Sequence, residues 1–386
     1  MYIKQTLKFN ILTILVGLAL LFNLWDYYLI EKFNYGLSSL IYIIVIIFSL
    51  LIGIKIKTKL VLLYLAFITY MLFVSLFSEY ISISVYRVAL FTLWCGFCLI
   101  IYSSKDFLDF RVVLNIALYG SIFYLLPVLL YGDYSHARLS SNEIFNPSWI
   151  AYQSAILFFL LLLKTNISVF SRIIYSAPIL LTIILTQGRT ALGSIILSLI
   201  LAYTIDNKKR MIIIPVIIFF IYVFIMTNET IILDFLSSFY EGYFNRFINL
   251  FSSDPDVVTA GRVTLWKESL SIYINSENIM PIGINQTWPV YGFNSPHNIY
   301  IKLLNELGIV FLAMYLLILF YILFYLIKTK KSITLKSFWI FFIVSGIGND
   351  VFFYKYFWYG MASFIVAYHL DSYNHNNEKK FNNNIY

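Results

Sequence analysis

The sequence predicts an all-α polytopic membrane protein with about twelve transmembrane helices, each span taking roughly 20 mostly apolar residues. Composition is the first reason: the 386 residues are 61% hydrophobic and 12% charged, where soluble domains carry about 25% charge. Mean hydropathy, at +0.82, is the second. The third is the recurrence of apolar runs separated by charged or turn-forming clusters. In chain order they lie near 9–30, 36–54, 60–77, 81–102, 112–131, 149–163, 173–187, 190–205, 211–227, 308–327, 337–349 and 358–370. The first run has no small-residue cleavage site and continues into WDYYLIEKF, so it is expected to stay as the first helix rather than leave as a signal peptide. The whole chain, 1–386, is read as one integral membrane domain.

Orientation follows from basic residues, which collect on the cytoplasmic side of span ends. With an inner amino terminus, the inner segments hold 18 of the 27 Lys and Arg residues, including KIKTK, NKKR and KTKKSITLK. Both termini are therefore expected in the cytoplasm. The remaining basic residues oppose this trend, and among them arginine outnumbers lysine: Arg87, Arg138, Arg189, Arg246 and Arg262. A guanidinium grips phosphate in a planar, two-pronged contact. The alternative for each is pairing with an outer carboxylate such as Glu79, Asp133 or Asp256.

Composition also excludes some classes. The net charge of +8 lies mostly in the inner lysine belt, which serves orientation and contact with anionic lipid. No nucleic-acid module accompanies it, so no nucleic-acid partner is expected. Cys95 and Cys98 form CGFC inside the fourth span, where buried thiols read as packing rather than as a redox or metal pair.

Two outward segments are substantial, 132–148 and 228–307, and loops on a rigid scaffold commonly carry function. In the longer one, TIILDFLSSFYEGYFNRFINLF repeats apolar residues at helical spacing, which predicts an interfacial helix. A second short helix is predicted over RVTLWKESLSIYI, where Val263, Trp266, Leu270 and Tyr273 share a face and Arg262 stands near the start. A cation at a helix amino terminus is unfavourable by itself and becomes sensible if an anion docks on the same free N–H groups. The irregular MPIGINQTWPVYGFNSPHN then delivers His297 to the head of the next span. Irregular backbone at membrane depth is tolerated only when buried in protein or lining a cavity, so 228–307 is expected to form a lid over an aromatic-rich outer cavity. TQGRTALG places Arg189 between two adjacent spans, with Gly188 allowing a sharp turn and close approach by a ligand. Arg87, in the outward half of the fourth span, has the same status.

The arginine of TQGR between adjacent spans, GRVTLW in a large outer loop, the GIN that follows and PHNIYIKLLNELG leading into a helix resemble, in that order, the O-antigen polymerase (Wzy) and O-antigen ligase (WaaL) group of membrane glycosyltransferases. The resemblance covers roughly residues 180 to 310, and the twelve-span topology extends it. It implies a bacterial inner-membrane enzyme, independent of metal and cofactor, that takes a glycan from undecaprenyl diphosphate on the periplasmic side. Carried over by motif, Arg189 and Arg262 hold the diphosphate and His297 acts on the acceptor hydroxyl. HARLSSNEIFNPSW resembles the family's preceding periplasmic loop and makes Arg138 a candidate for donor or sugar contact. Arg87, Arg246 and Asn298 complete the candidate substrate contacts. The implied partners are the lipid-linked oligosaccharide, membrane lipids and, where one is used, a chain-length regulator protein.

Elementary chemistry fits these roles. The charge of a leaving diphosphate grows as the C–O bond breaks, so positioned guanidinium donors favour the transition state over the ground state. A histidine neutral near pH 7 takes a proton from a sugar hydroxyl. His297 has a plainer alternative as a capping or packing residue, and His136 is a second candidate base. His369 and His375 fall on the inner side. The composition, rich in Ile, Asn, Lys, Tyr and Phe, resembles that of AT-rich glycan-cluster genes, and that resemblance implies polymerase rather than ligase. A flippase or transporter of the same lipid-linked glycan predicts internal repeats and a charged track through the bundle, and the sequence displays neither. A noncatalytic scaffold would leave the outer arginines without a purpose.

Overall fold

The computed structural model describes residues 2–33, 36–132, 147–164, 167–186, 188–205, 254–259, 261–275, 281–287, 290, 295–349, 352 and 354–383. Among these the regular structure is helical: α1 (Tyr2–Phe33), α2 (Leu37–Leu51), α3 (Thr58–Leu76), α4 (Ile81–Ser103), α5 (Phe110–Tyr131), α6 (Pro147–Leu163), α7 (Val169–Leu185), α8 (Arg189–Ile205), α9 (Pro255–Thr259), α10 (Arg262–Asn275), α11 (Ile299–Lys328), α12 (Ile333–Ser345) and α13 (Lys355–Asn383). Five helices, α1, α3, α4, α5 and α11, are long and apolar enough to cross a membrane, while α2, α6, α7, α8 and α12 are apolar but shorter. The expected span at 211–227 and the interfacial helix expected before residue 252 lie outside the described residues.

Burial sorts the helices into layers. A helix that is apolar all round belongs in the interior, and α6 and α12 bury nearly every residue, including Tyr152, Phe159, Phe338, Trp339 and Phe341. Around them, α1 packs along α5 and α2, α7 lies on α6, and α8 lies on α12. The α1–α5 seam uses small residues, Gly17 facing Ile116 and Gly120 facing Leu21, because without a hydrophobic drive between helices in lipid their association depends on close van der Waals fit. Lipid-type side chains remain exposed on α3, α7 and the outer face of α11, for example Phe73, Phe170 and Leu317. Cys98 is buried and its thiol faces the Trp358 carbonyl, as a packing residue does.

The basic residues fall at two ends of the bundle. At one end Lys164 donates to Asn115 and Tyr119, Arg172 donates to the Lys164 carbonyl and Lys331 pairs with Asp371 at 3.5 Å. The other end carries Arg87, Arg189 and Arg262. There Asp26, at 0% exposure, accepts from the Ser38 amide and hydroxyl and pairs with Lys355 at 2.6 Å, joining the exit of α1 to the starts of α2 and α13.

Helix α11 departs from the sequence expectation. It begins at Ile299, directly after the His297 corner as expected, but Gly308, where the apolar run starts, interrupts it with φ 80 and ψ 173. The cause is visible in the backbone accounting, since every carbonyl freed at a break must find a donor. The Asn305 carbonyl accepts from Ile282 N–H and the Glu306 carbonyl from Gly283 N–H, both at 3.1 Å, and the Leu307 carbonyl accepts from the Tyr70 hydroxyl at 2.7 Å. An inserted irregular strip, 281–287, has replaced the helix's own hydrogen bonds.

Candidate active site

The inserted strip is held from both sides. On one side the Gln286 carboxamide donates to the Tyr80 carbonyl and to Ser84 while accepting from Tyr80 N–H, which ties the strip to the start of α4. On the other, the Glu306 carboxylate accepts from Asn285 N–H at 2.9 Å and from the Thr287 hydroxyl at 2.8 Å. Gly283 lies with φ +95 directly against Ser78, a conformation and a closeness that only glycine combines. The irregular stretch read from the sequence is thus buried in protein, which is how membrane-depth backbone survives.

Arg262 is placed by a compact knuckle. Gly261, at φ +77, turns the chain, and its N–H donates to the Asp256 carbonyl at 2.7 Å. The Asp256 carboxylate accepts from the Thr264 amide at 3.0 Å and from its hydroxyl, and these bonds hold the carboxyl below its ordinary range. Arg262 therefore opens α10 as expected. Its guanidinium reaches across to α8, where Nη1 donates to the Thr190 hydroxyl at 3.1 Å and to the Gly348 carbonyl at 2.8 Å. Arg189 is the first residue of α8, directly preceding that threonine. Arg262 thus meets the residue that follows Arg189, 72 positions away in sequence.

His297 joins the same junction through its neighbours. One turn along α10 from Arg262, the Trp266 indole N–H donates to the Pro296 carbonyl at 2.8 Å. Two residues past the histidine, Ile299 N–H donates to the Gly346 carbonyl at 2.8 Å, in the turn that also supplies Gly348 to Arg262. His297 itself is half-buried with φ +50, the left-handed conformation, between these two anchors. Asn298 adopts an extended φ of −141, and its side-chain oxygen accepts from Tyr300 and Ile301 N–H at 3.0 and 3.2 Å. Expected as a substrate contact, it caps α11, because an extended residue with a short carboxamide satisfies the orphan N–H groups of a first turn.

The remaining sequence candidates divide. Arg87 faces the Tyr354 ring at 5.4 Å from its centroid. Arg138, Arg246 and His136 lie outside the described residues. His369 sits at the opposite end of the bundle, stacked on Phe110 at 4.6 Å. Gly188 departs from its expected use: its open face is filled by the Ala151 side chain of α6, so the glycine serves helix packing rather than ligand approach. Sequence reasoning passed over Lys302 and Glu306, at 3% and 0% exposure. Their signal was present in IYIKLLNELG, where two ionisable residues four apart share one face of an otherwise apolar helix.

Residues 174–316 match the Wzy_C family, O-antigen ligase. The matched stretch runs from α7 through Arg189, Arg262 and His297 into α11, the parts that meet at this junction, and it supports the Wzy/WaaL group. No curated protein matches the chain, and no solved structure does. Within the O-antigen ligase family match, the residues between Arg262 and Asn305 supply most of the contacts that build the junction, including the Asn305 amide bond to the Ser269 carbonyl at 3.2 Å.

Proposed function

We propose that the protein is an O-antigen polymerase that joins glycan repeat units carried on undecaprenyl diphosphate at the periplasmic face of the inner membrane. The observation that carries this reading is the junction itself. Arg262, the Arg189 end of α8 and the His297 corner meet through Thr190, Gly348, Gly346 and Pro296. Both termini are taken as cytoplasmic, which puts the junction outside.

In the reaction, the acceptor hydroxyl oxygen attacks C1 of the donor's reducing-end sugar. The bond from C1 to the phosphate oxygen breaks, undecaprenyl diphosphate leaves with the electron pair, and the hydroxyl proton passes to the His297 imidazole. Arg189 and Arg262 hold the departing diphosphate, where charge grows most. Removing one such donor costs on the order of 100- to 1000-fold in rate, and removing the base about 100- to 10000-fold.

The family description names a ligase, which makes ligation to lipid A-core the second reading. Gene deletion separates the two. Loss of a polymerase leaves single repeat units on the core, whereas loss of a ligase leaves the core bare and long glycan stranded on its carrier. His297→Asn, which keeps an αL-tolerant residue at the corner, is expected to reproduce the deletion phenotype with protein levels unchanged. Full-length surface glycan from that variant removes the imidazole from the mechanism.

A further inference from the structure

The end of the bundle opposite the arginine junction holds two cations that neutral groups fix in place. Lys164 follows the last turn of α6 and reaches to α5, where its ammonium donates to the Asn115 carboxamide and the Tyr119 hydroxyl, both at 2.6 Å, and lies 4.1 Å from the centre of the Tyr119 ring. Arg172, in the first turn of α7, donates to the Lys164 carbonyl at 2.9 Å, and its buried Nε–H meets no acceptor. None of these partners carries a negative charge. Lys331 at the same end differs, because Asp371 pairs with it at 3.5 Å.

Hydrogen bonds to neutral groups orient a cation without cancelling its charge, and the first turn of a helix adds partial positive charge of its own. This corner therefore favours an anion, and its surroundings select the kind. Tyr119, Phe123, Leu126 and Leu130 recur at helical spacing along α5 and are all exposed, Phe123 and Leu130 at 72%, so an apolar stripe runs down the helix from the Lys164 contact. From Tyr119 to Leu130 the helix rises about 16 Å, about half of the hydrocarbon core of roughly 30 Å and so the depth of one leaflet. Tyr175 of α7 packs edge-on against Tyr119 at 5.3 Å and walls the head of the stripe. A free anion would use the charge alone, whereas a phospholipid uses charge and stripe together. A zwitterionic headgroup would bring a further cation to a corner that already holds two.

We propose that Lys164 and Arg172 hold the headgroup phosphate of an anionic phospholipid of the phosphatidylglycerol class, with its chains along the Tyr119–Leu130 stripe of α5, in the leaflet away from the arginine junction. The site does not depend on the catalytic reading.

The test uses the purified full-length protein, delipidated in detergent, and native mass spectrometry, which reads the apparent Kd of the first bound lipid for phosphatidylglycerol and for phosphatidylcholine with the same chains. The wild type is expected to prefer phosphatidylglycerol about tenfold or more, the scale of a hydrogen bond to a charged group. Arg172→Gln should lose most of that preference, the double variant Lys164→Gln with Arg172→Gln should lose all of it, and Lys164→Arg should keep it. Lys331→Gln, which removes a cation already paired at the same end, should leave the preference intact. Arg172→Gln alone decides the matter if the double variant is not monodisperse on gel filtration. Glycerol phosphate at the same concentrations should not displace the lipid. Equal binding of the two lipids overturns the proposal, as does a preference that survives Arg172→Gln undiminished or falls equally in Lys331→Gln. Displacement by glycerol phosphate would reassign the corner to a free phosphate and also overturn it. Because no turnover is measured, these results are independent of the His297→Asn phenotype that tests the catalytic reading.

Discussion

Gly348→Ala is the sharpest probe of the arginine junction. The new Cβ would lie 2.5 Å from Thr190 Cγ2, 2.9 Å from Thr190 Oγ1 and 3.1 Å from Arg262 Nη1. Ordinary van der Waals contact begins at 3.4 Å, so the nearest atom must retreat by 0.9 Å, the difference between 3.4 and 2.5. Thr190 is β-branched and stiff at χ1, and it sits in the first turn of α8, so the retreat falls on the Thr190–Arg262 contact. A displacement of about 1 Å in a positioned group costs on the order of 100-fold in rate. The φ of Gly348 is outside the left-handed region, which leaves the steric clash as the whole effect. The assay is the initial rate of glycan joining by purified protein on lipid diphosphate-linked repeat units, with folding checked by thermal unfolding. Expected are a fall of about 100-fold for Gly348→Ala and recovery of about tenfold or more in Gly348→Ala with Thr190→Ser, which removes Cγ2 and keeps the hydroxyl acceptor. Gly193→Ala on the same α8 is the control, because its Cβ meets nothing within 4 Å. A Gly348→Ala enzyme at wild-type rate and full stability would refute the assignment of Arg262 to the reaction through this junction.

Other parts of the architecture give their own expectations. Gly283→Ala forces a side chain onto φ +95 and into Ser78, and should destabilise by about 1–3 kcal/mol for strain plus about 1–3 kcal/mol for overpacking, read by thermal unfolding in detergent. Adding Ser78→Gly should restore only the packing share. Trp266→Phe deletes the indole bond to the Pro296 carbonyl at 2.8 Å and should cost about 0.5–1.5 kcal/mol. Its activity should fall further than Trp266-distant variants of equal stability, because the bond sets the His297 corner. The Asp256 carboxyl is held low by Thr264, so its contribution to the α9–α10 knuckle is full above the unfolded pKa of about 3.9 and is lost as pH falls through the lower folded value. Amide protection factors across 256–264, normalised to the intrinsic exchange rate at each pH, should therefore fall at acid pH in the wild type, and Thr264→Val should move that fall to higher pH.

Much of the membrane architecture was legible in the chain. Apolar runs separated by basic clusters located α1 to α8, α12 and α13 because a span's chemistry is local: twenty side chains either suit lipid or do not. The same locality exposed Arg189, Arg262 and His297 as residues out of place for their surroundings. The break of α11 at Gly308 was not legible, since it depends on donors from Ile282, Gly283 and Tyr70 meeting carbonyls of residues 305–307. The capping of α11 by Asn298 was hidden for a related reason, as a carboxamide looks the same in a sequence whether it faces a ligand or its own helix.

Sequence alone therefore determined that this chain folds as a bundle of apolar helices, and where its arginines and lysines stand along them. Only tertiary structure decided that Arg262 meets the head of α8, that Trp266 and Gly346 brace the histidine corner, and that Lys164 reaches from the end of α6 to Asn115 and Tyr119 on α5. Hydropathy acts residue by residue and survives unaltered in one dimension. A hydrogen bond between side chains dozens or hundreds of residues apart exists only after helices have packed and their ends have been brought into register.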